Sequence, residues 1–214
     1  MFAKKYIVEA IGTTILTLII LLINNPIATS FIWASLLIIR KNQTHGYFNL
    51  AVTCSLYAAR FISLKDMLRF SFYQTIGSFA GLICFKYITG SYFTPDTTII
   101  NSFSVLSIIE ALSAAILCMT ILTIHEPTKE KNSSSVAHTA IISAITLIGL
   151  QTVGTILHPS FGLAVFLGTF LDTGNELFKQ QLHINTHYTL VYFVIPTAAG
   201  LCSYQIKKWT NEEL

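Results

Sequence analysis

Two glutamates stand inside long apolar stretches, where an ionised side chain is costly. Glu9 and Glu110 each belong to a Glu-Ala pair, and an Ile-Leu pair begins six residues after each glutamate. A carboxylate in an apolar helix needs a partner, so it serves either as a proton or ion site or as an acceptor for neighbouring backbone amides. The duplication at equivalent positions favours the second role, that of a structural carboxylate.

Two further segments share the pattern His-x-x-Phe-x-Leu-Ala-Val, which begins at His45 and again at His158. Each pattern leads into a short apolar stretch, about 49–59 in the first case and 162–171 in the second. Stretches of this length cannot cross a bilayer, so they are predicted to be re-entrant or interfacial. The residues that open them are Asn49, Leu50 and Ala51 in the first and Gly162, Leu163 and Ala164 in the second.

His158 can be interpreted in two ways. An imidazole titrates near neutral pH and could donate hydrogen bonds to a molecule beside it. The favoured interpretation is a polar residue satisfied by nearby backbone groups. Ser160 lies two residues further on, but it lacks the flanking glycines of a rhomboid-like serine site. Since no acid–base pair accompanies it, we do not expect an enzyme.

Residue types that bind metals are present but poorly arranged. His183 and His187 are four residues apart with Glu176 nearby, so a metal site is conceivable. The segment that holds the two histidines contains no acid, and a hydrated pair in a loop is the preferred interpretation. The cysteines lie in apolar segments without paired spacing, as small buried hydrophobes do. They are Cys54, Cys84, Cys118 and Cys202. We expect no metal, disulfide or cofactor.

These residues must be positioned by membrane helices. Of the 214 residues, 53% are hydrophobic and only 11% are charged, whereas about a quarter of a soluble domain is charged. Six apolar stretches are candidate spanning helices, of which the second is short. They are about 6–23, 27–40, 67–89, 103–125, 136–157 and 188–206. The expected class is an all-α membrane protein with membrane lipid, and no nucleic acid, as a partner.

The distribution of positive charge predicts the orientation in the membrane. With the N-terminus inside, the inner segments are the N-terminus, 40–69, 125–135 and the C-terminus. Of the 13 Lys and Arg residues, all but Lys86 and Lys179 fall in these segments. Positive charge accumulates on the cytoplasmic side of membrane proteins, so both termini are predicted to be cytoplasmic, in the cell membrane.

The chain divides into two similar halves. The tract 126–135, EPTKEKNSSS, is the most polar linker of the chain, and the repeats are placed at 1–95 and 101–214 of a single domain. Three crossings per repeat make the two halves inverted relative to each other. Inverted repeats place a site near the midplane, where broken helices point their N-termini inward. Each short apolar stretch is therefore predicted to be a half-helix.

The residues of the first half resemble those of the major intrinsic proteins, the aquaporin family. Residues 49–53, Asn-Leu-Ala-Val-Thr, are similar to its Asn-Pro-Ala-Val-Thr box, and Gln74 and Gly77 follow at its third-helix spacing. The two glutamates resemble those of its first and fourth helices. Residues 192–196, Tyr-Phe-Val-Ile-Pro, resemble the start of its sixth helix. The chain is identified as a divergent member of this family.

The resemblance implies a fold of six tilted helices and two half-helices that meet at the centre of an hourglass pore, usually in a homotetramer. Members of the family pass water, glycerol or other small neutral solutes. Each half-helix N-terminus carries about half a positive charge and free N–H donors. Two such ends at one point on the pore axis disfavour cations and reorient water that passes in single file.

The second box of the family can be aligned in two ways. The internal repeat matches five positions when Gly162-Leu163-Ala164 is the box, and this alignment is preferred. The alternative sets His158-Pro159-Ser160 as the box. Neither version has the family asparagine, and the first box has Leu50 where the family has proline, a residue suited to the first helical turn.

The outer constriction of the family normally contains an arginine, and this chain departs from that pattern. The position is occupied by Val165 in the preferred alignment or by Phe161 in the alternative, and no arginine follows Arg69. A filter near Thr29, Leu150 and Val165 is weakly polar and uncharged. We expect altered selectivity that favours larger or less polar neutral solutes over fast water transport.

Two other functions are compatible with the sequence. A small secondary transporter also uses inverted repeats and broken helices, but it needs a charged group at the midplane. Only Glu9 and Glu110 qualify, and both are interpreted as structural. A non-conducting relative is the other alternative, because a motif indicates the fold more securely than the function.

Overall fold

The protein is described by a computed structural model. The described residues are 2–23, 25–40, 47–91, 93, 102–125, 141–146, 148, 157–171 and 178–212. The helices are α1 (Phe2–Ile23), α2 (Pro26–Arg40), α3 (Leu50–Ala58), α4 (Leu64–Thr89), α5 (Phe103–His125), α6 (Pro159–Thr169), α7 (Phe178–Thr189) and α8 (Ile195–Glu212). A π-helical turn, Leu190–Val194, joins α7 to α8 without a break. Residues 141–146 and 148 are also helical, and no described residue lies in a strand.

Three stretches of described helix are long and apolar enough to cross a membrane. They are Lys4–Ile23, Phe103–Ile124 and Leu182–Trp209, and they include nearly all of the predicted spans at 6–23, 103–125 and 188–206. The helix α2 is apolar but short, as expected from its sequence, and α4 covers the predicted span at 67–89. The predicted span at 136–157 lies mostly outside the described residues.

The bounds of α4 follow from local hydrogen bonds. Ser63 is the N-cap, and its hydroxyl accepts the Asp66 N–H at 3.1 Å, which satisfies a donor that the first helical turn leaves free. At the other end, Gly90 adopts φ 78° and donates its N–H to the Lys86 carbonyl at 2.8 Å. This left-handed conformation costs glycine little and ends the helix.

Small residues allow the helices around the half-helices to approach closely. The long helix α4 packs along α1, and a side-chain carbon added at Gly77 would collide with the backbone of Ala10. The half-helix α3 packs on α8, where Gly200 faces the backbone of Ala51 in the same way. Glycine at such crossings brings backbones together in the absence of a hydrophobic driving force between membrane helices.

The two short helices are buried between the long ones. All residues of α3 from Leu50 to Leu56 are buried, in a core that also contains Trp33 and Phe48. The other short helix, α6, lies against α4, α7 and the π-helical turn, in a second core that contains Phe161 and Tyr188. Each short helix is therefore held inside the bundle and does not lie on its surface.

Candidate functional site

The first half-helix begins at a residue that caps it. The Asn49 amide oxygen accepts N–H groups from Ala51 at 3.0 Å and from Val52 at 3.3 Å, and the Asn49 backbone is extended (φ −143°, ψ 121°). The side chain is 5% exposed. An asparagine in this position satisfies two of the free donors of the helix start. Leu50 and Ala51 form the first helical positions.

The second half-helix begins three residues earlier than the apolar stretch at 162–171 predicted. Pro159 is its first residue, and His158 stands at the N-cap position. Among the described atoms the His158 side chain makes no capping hydrogen bond, and the Phe161 N–H bonds to the His158 carbonyl at 2.9 Å. Gly162, Leu163 and Ala164 lie inside the helix, beyond its first residues.

The two helix starts are joined by a direct hydrogen bond. The Asn49 side-chain amide donates to the Leu157 carbonyl at 2.6 Å, across 108 positions of sequence. On the other side, the His158 ring nitrogen Nε2 lies 3.3 Å from the Thr17 hydroxyl, which donates to the Ser78 hydroxyl at 3.2 Å. The N-termini of α3 and α6 therefore meet inside the bundle, and His158 is turned towards α1 and α4.

Each helix start is preceded by a residue in the left-handed region. Phe48 has φ 53° and Leu157 has φ 50°, which is uncommon for residues other than glycine. The Phe48 N–H donates to Glu9 Oε2 at 2.8 Å, and the Leu157 N–H reaches Glu110 Oε1 at 3.4 Å. Both glutamates are buried. Each carboxylate thus binds the strained backbone immediately before a half-helix.

Glu9 also belongs to a larger buried network. The Gln74 side-chain amide donates to Glu9 Oε2 at 2.8 Å and to the Thr53 hydroxyl at 3.1 Å. Thr53 lies in the first half-helix, so the network joins α1, α4 and α3. In the segment just before α3, the Tyr47 carbonyl accepts a hydrogen bond from the Trp33 indole at 2.9 Å.

The residues proposed for the outer constriction lie in different surroundings. Phe161 is 1% exposed, and its ring centroid lies 5.5 Å from that of Phe93 and 6.1 Å from that of Tyr188. Val165 packs in the same core. Thr29 is buried in α2, where its hydroxyl donates to the Asn25 carbonyl at 3.0 Å. Leu150 lies outside the described residues.

The structure adds contacts that were not expected from the sequence. Leu157 accepts from the Asn49 side chain, Thr17 contacts the His158 ring, and Ser78 in turn accepts from Thr17. A weak signal for Thr17 exists, because Thr13 and Thr17 are four apart and share one face of α1. His183 and His187 have ring centroids 4.5 Å apart, and no group of three metal-binding side chains occurs among the described residues.

Buried half-helices that meet inside a bundle of long helices define a membrane protein of the channel type. A family model described as Major intrinsic protein matches residues 1–204. The chain therefore belongs to the major intrinsic protein family, whose members are membrane channels for water and small solutes.

Comparison with solved structures supports the same fold. The X-ray structure of the aquaglyceroporin from Plasmodium falciparum is similar over 96% of this chain and 95% of that chain, with a TM-score of 0.65 and 15% sequence identity. No curated protein matches the chain. The all-α, aquaporin-like fold predicted from the sequence is confirmed.

Proposed function

We propose that the protein is a channel for small neutral solutes, such as glycerol or urea, with a filter that contains no arginine. The observation that carries this proposal is the meeting of two half-helix N-termini at the Asn49–Leu157 hydrogen bond. Converging helix ends supply partial positive charge and N–H donors at one point, which opposes cations and favours molecules with acceptor oxygens.

The second box is proposed to be His158-Pro159-Ser160, the alternative alignment. Three similarities with the first box support it: a cap residue, a preceding residue with positive φ, and a carboxylate on that residue's N–H. His158 then occupies the position of the second family asparagine. Because its ring contacts Thr17, we propose that it anchors α6 to α1 and leaves Asn49 as the polar side chain of the centre.

In this alignment Phe161 takes the position of the filter arginine. Its ring packs against Phe93 and Tyr188, and a phenyl side chain has neither a charge nor a hydrogen-bond donor. A guanidinium in that position would supply several donors and a fixed positive charge. Without it, exclusion of ions depends on the half-helix ends alone, and a solute meets a less polar entrance.

The assembly and orientation are proposed to follow the family. A homotetramer would place the protein in the cell membrane with both termini in the cytoplasm. The basic residues Lys4, Lys5 and Arg69 lie near one end of the α1–α4 pair, which supports an inside position for that end. Glu9 and Glu110 are proposed to be structural carboxylates rather than proton carriers.

The experiment is stopped-flow swelling of proteoliposomes that contain the purified protein. Vesicles are challenged separately with glycerol, urea and an osmotic gradient of an impermeant sugar that reports water. We expect glycerol and urea flux above that of protein-free vesicles. Brisk water flux without glycerol or urea flux would contradict the proposed selectivity.

A non-conducting protein is the second candidate, and one observation favours it. Asn49 and His158 are 5% and 4% exposed, and each side chain already contacts a protein group. A centre closed in this way would have to open before a solute could pass. Absence of flux for all three solutes, from protein shown to be folded and correctly inserted, would establish this candidate instead.

A further inference from the structure

One face of α4 combines two basic side chains with an apolar stripe. Lys65, Leu68, Arg69, Phe72 and Ile76 follow the helical spacing i, i+3, i+4, i+7 and i+11, so they share one side of the helix. All five are exposed, with 56% for Leu68, 62% for Phe72 and 45% for Ile76. The opposite side of α4 is buried. These five residues are called the α4 outer face below.

The acid beside this face is already occupied. Asp66 Oδ1 accepts hydrogen bonds from Lys5 Nζ at 2.7 Å and from the Tyr6 hydroxyl at 2.6 Å, and Oδ2 accepts one from the Ser63 hydroxyl at 3.0 Å. Within the described part of the chain, neither Lys65 nor Arg69 belongs to an ion pair. The α4 outer face therefore has two positive charges that no acid of the described residues neutralises.

Arg69 is held in place by an aromatic ring. Its guanidinium carbon lies 5.7 Å from the Tyr6 ring centroid, and the Tyr6 hydroxyl is fixed by its bond to Asp66. A guanidinium on an aromatic face keeps its hydrogen-bond donors free in the plane of the group. Such a group can bind the oxygens of a phosphate with two parallel hydrogen bonds.

The α4 outer face as a whole has about the length of one membrane leaflet. From Lys65 to Ile76 the helix rises roughly 16 Å at about 1.5 Å per residue, and half of the hydrocarbon core is about 15 Å. The basic residues precede the predicted span at 67–89 or lie at its start, whereas Phe72 and Ile76 lie within it. Along the helix, the basic residues lie at the membrane surface and the apolar residues lie deeper. A phospholipid has the same order, with its phosphate at the surface and its acyl chain below.

We propose that the α4 outer face is a binding site for an anionic phospholipid. The lipid phosphate binds Lys65 and Arg69, and an acyl chain lies along Leu68, Phe72 and Ile76. A zwitterionic lipid is bound less well, because its own ammonium group offsets the attraction of the two cations. Each basic side chain near a membrane surface contributes about fivefold to the affinity for anionic lipid.

The test is native mass spectrometry of the purified full-length protein in detergent, titrated with phosphatidylglycerol or with phosphatidylcholine. We expect phosphatidylglycerol to bind at lower concentration than phosphatidylcholine. The double variant Lys65→Gln/Arg69→Gln is expected to weaken phosphatidylglycerol binding by roughly 25-fold, the product of two fivefold effects. Its matched control, Lys86→Gln/Lys208→Gln, removes the same charge elsewhere and is expected to retain wild-type binding.

Three results would overturn the proposal. The two lipids could bind equally, the control variant could lose as much binding as the double variant, or inorganic phosphate at equal concentration could displace the lipid. A third variant, Phe72→Ser, retains both charges and is expected to weaken phosphatidylglycerol binding through the acyl chain alone. Melting temperatures without lipid show whether each variant is folded. Because no solute flux is measured, the result is independent of the proposed function.

Discussion

Asn49 and His158 stand at the starts of the two half-helices but use their polar atoms differently. Asn49 caps its own helix and also bonds to Leu157, so it connects α3 to the backbone before α6. His158 leaves its helix without a side-chain acceptor and contacts Thr17 in α1. Asn49 therefore caps the N-terminus of its own half-helix, whereas His158 contacts α1 instead of capping its helix.

Glu9 supplies a prediction at the residue scale. Replacement by leucine leaves the buried Phe48 N–H and the Gln74 amide without this acceptor. An unsatisfied buried donor costs about 1–3 kcal/mol, so we expect Glu9→Leu to lower the stability by about 3 kcal/mol. The measurement is the unfolding midpoint in detergent, with Ile15→Leu at an exposed position of the same helix as the control. Equal midpoints for the two variants would contradict the role of Glu9.

Asp66 supplies a prediction about pH. Burial raises the pKa of its carboxyl, but hydrogen bonds from Lys5, Tyr6 and Ser63 outweigh this and lower the pKa from 3.8 to about 2. A lowered pKa in the folded state stabilises the protein above the unfolded pKa, and this contribution is lost as the pH falls from about 4 to about 2.

We therefore expect the unfolding midpoint of the wild type to fall in that pH range by more than that of Asp66→Asn, which cannot titrate. The comparison is a pair of thermal unfolding series from pH 6 to pH 2 in a non-ionic detergent. Parallel curves for the two proteins would show that the Lys5–Asp66 contact contributes nothing measurable.

At the scale of elements, α6 depends on close contact with the π-helical turn. A side-chain carbon at Gly162 would lie 2.9 Å from the Tyr192 carbonyl carbon and 3.1 Å from the Phe193 nitrogen. Both are backbone atoms that cannot rotate away. The Thr189 hydroxyl also donates to the Gly162 carbonyl at 3.2 Å, which fixes the same contact. The position of the second half-helix is therefore set by the helix that follows it.

Gly162→Ala tests this contact. Overpacking against backbone costs about 1–3 kcal/mol, so a clear loss of stability is expected. The matched control is Gly168→Ala in the same helix, where the added carbon meets only the flexible end of Leu82 at 2.6 Å. Thermal unfolding of both variants provides the comparison. A loss at Gly168 equal to or larger than that at Gly162 would contradict this view of the packing.

The sequence predicted the first half-helix closely and the second less well. Asn49 followed by an apolar stretch marks the start of α3, since a cap residue is a local signal. For α6, the internal match of His45 with His158 favoured a box at Gly162. The helix itself begins at Pro159, and a proline at the first helical position is a local signal of a helix start.

Other features had no local signal. The helix α7 begins at Phe178, ten residues before the predicted span, because its polar first turns do not register as apolar sequence. The Thr17–His158 contact joins residues 141 positions apart and depends on how α1, α4 and α6 pack. Hydrophobic periodicity specifies which face of a helix is buried, but it does not specify the partner of a particular side chain.

For the whole molecule, the exposed apolar surface is that of a membrane protein. Large exposed hydrophobic side chains occur on α1, α2 and α5, for example Ile11, Phe31 and Leu112. We expect four copies to associate through part of this surface. Native mass spectrometry in mild detergent is expected to give about four times 23.7 kDa for the protein component. A stable monomer or dimer under all detergents tested would contradict the tetramer.

The central claim is that two converging half-helices exclude ions while neutral solutes pass, with no arginine in the filter. The most direct measurement follows glycerol entry and proton leak in the same proteoliposomes, by light scattering and an enclosed pH-sensitive dye. We predict glycerol entry faster than in protein-free vesicles and a proton leak no greater than in them. A protein-dependent proton leak that accompanies glycerol entry would contradict the claim.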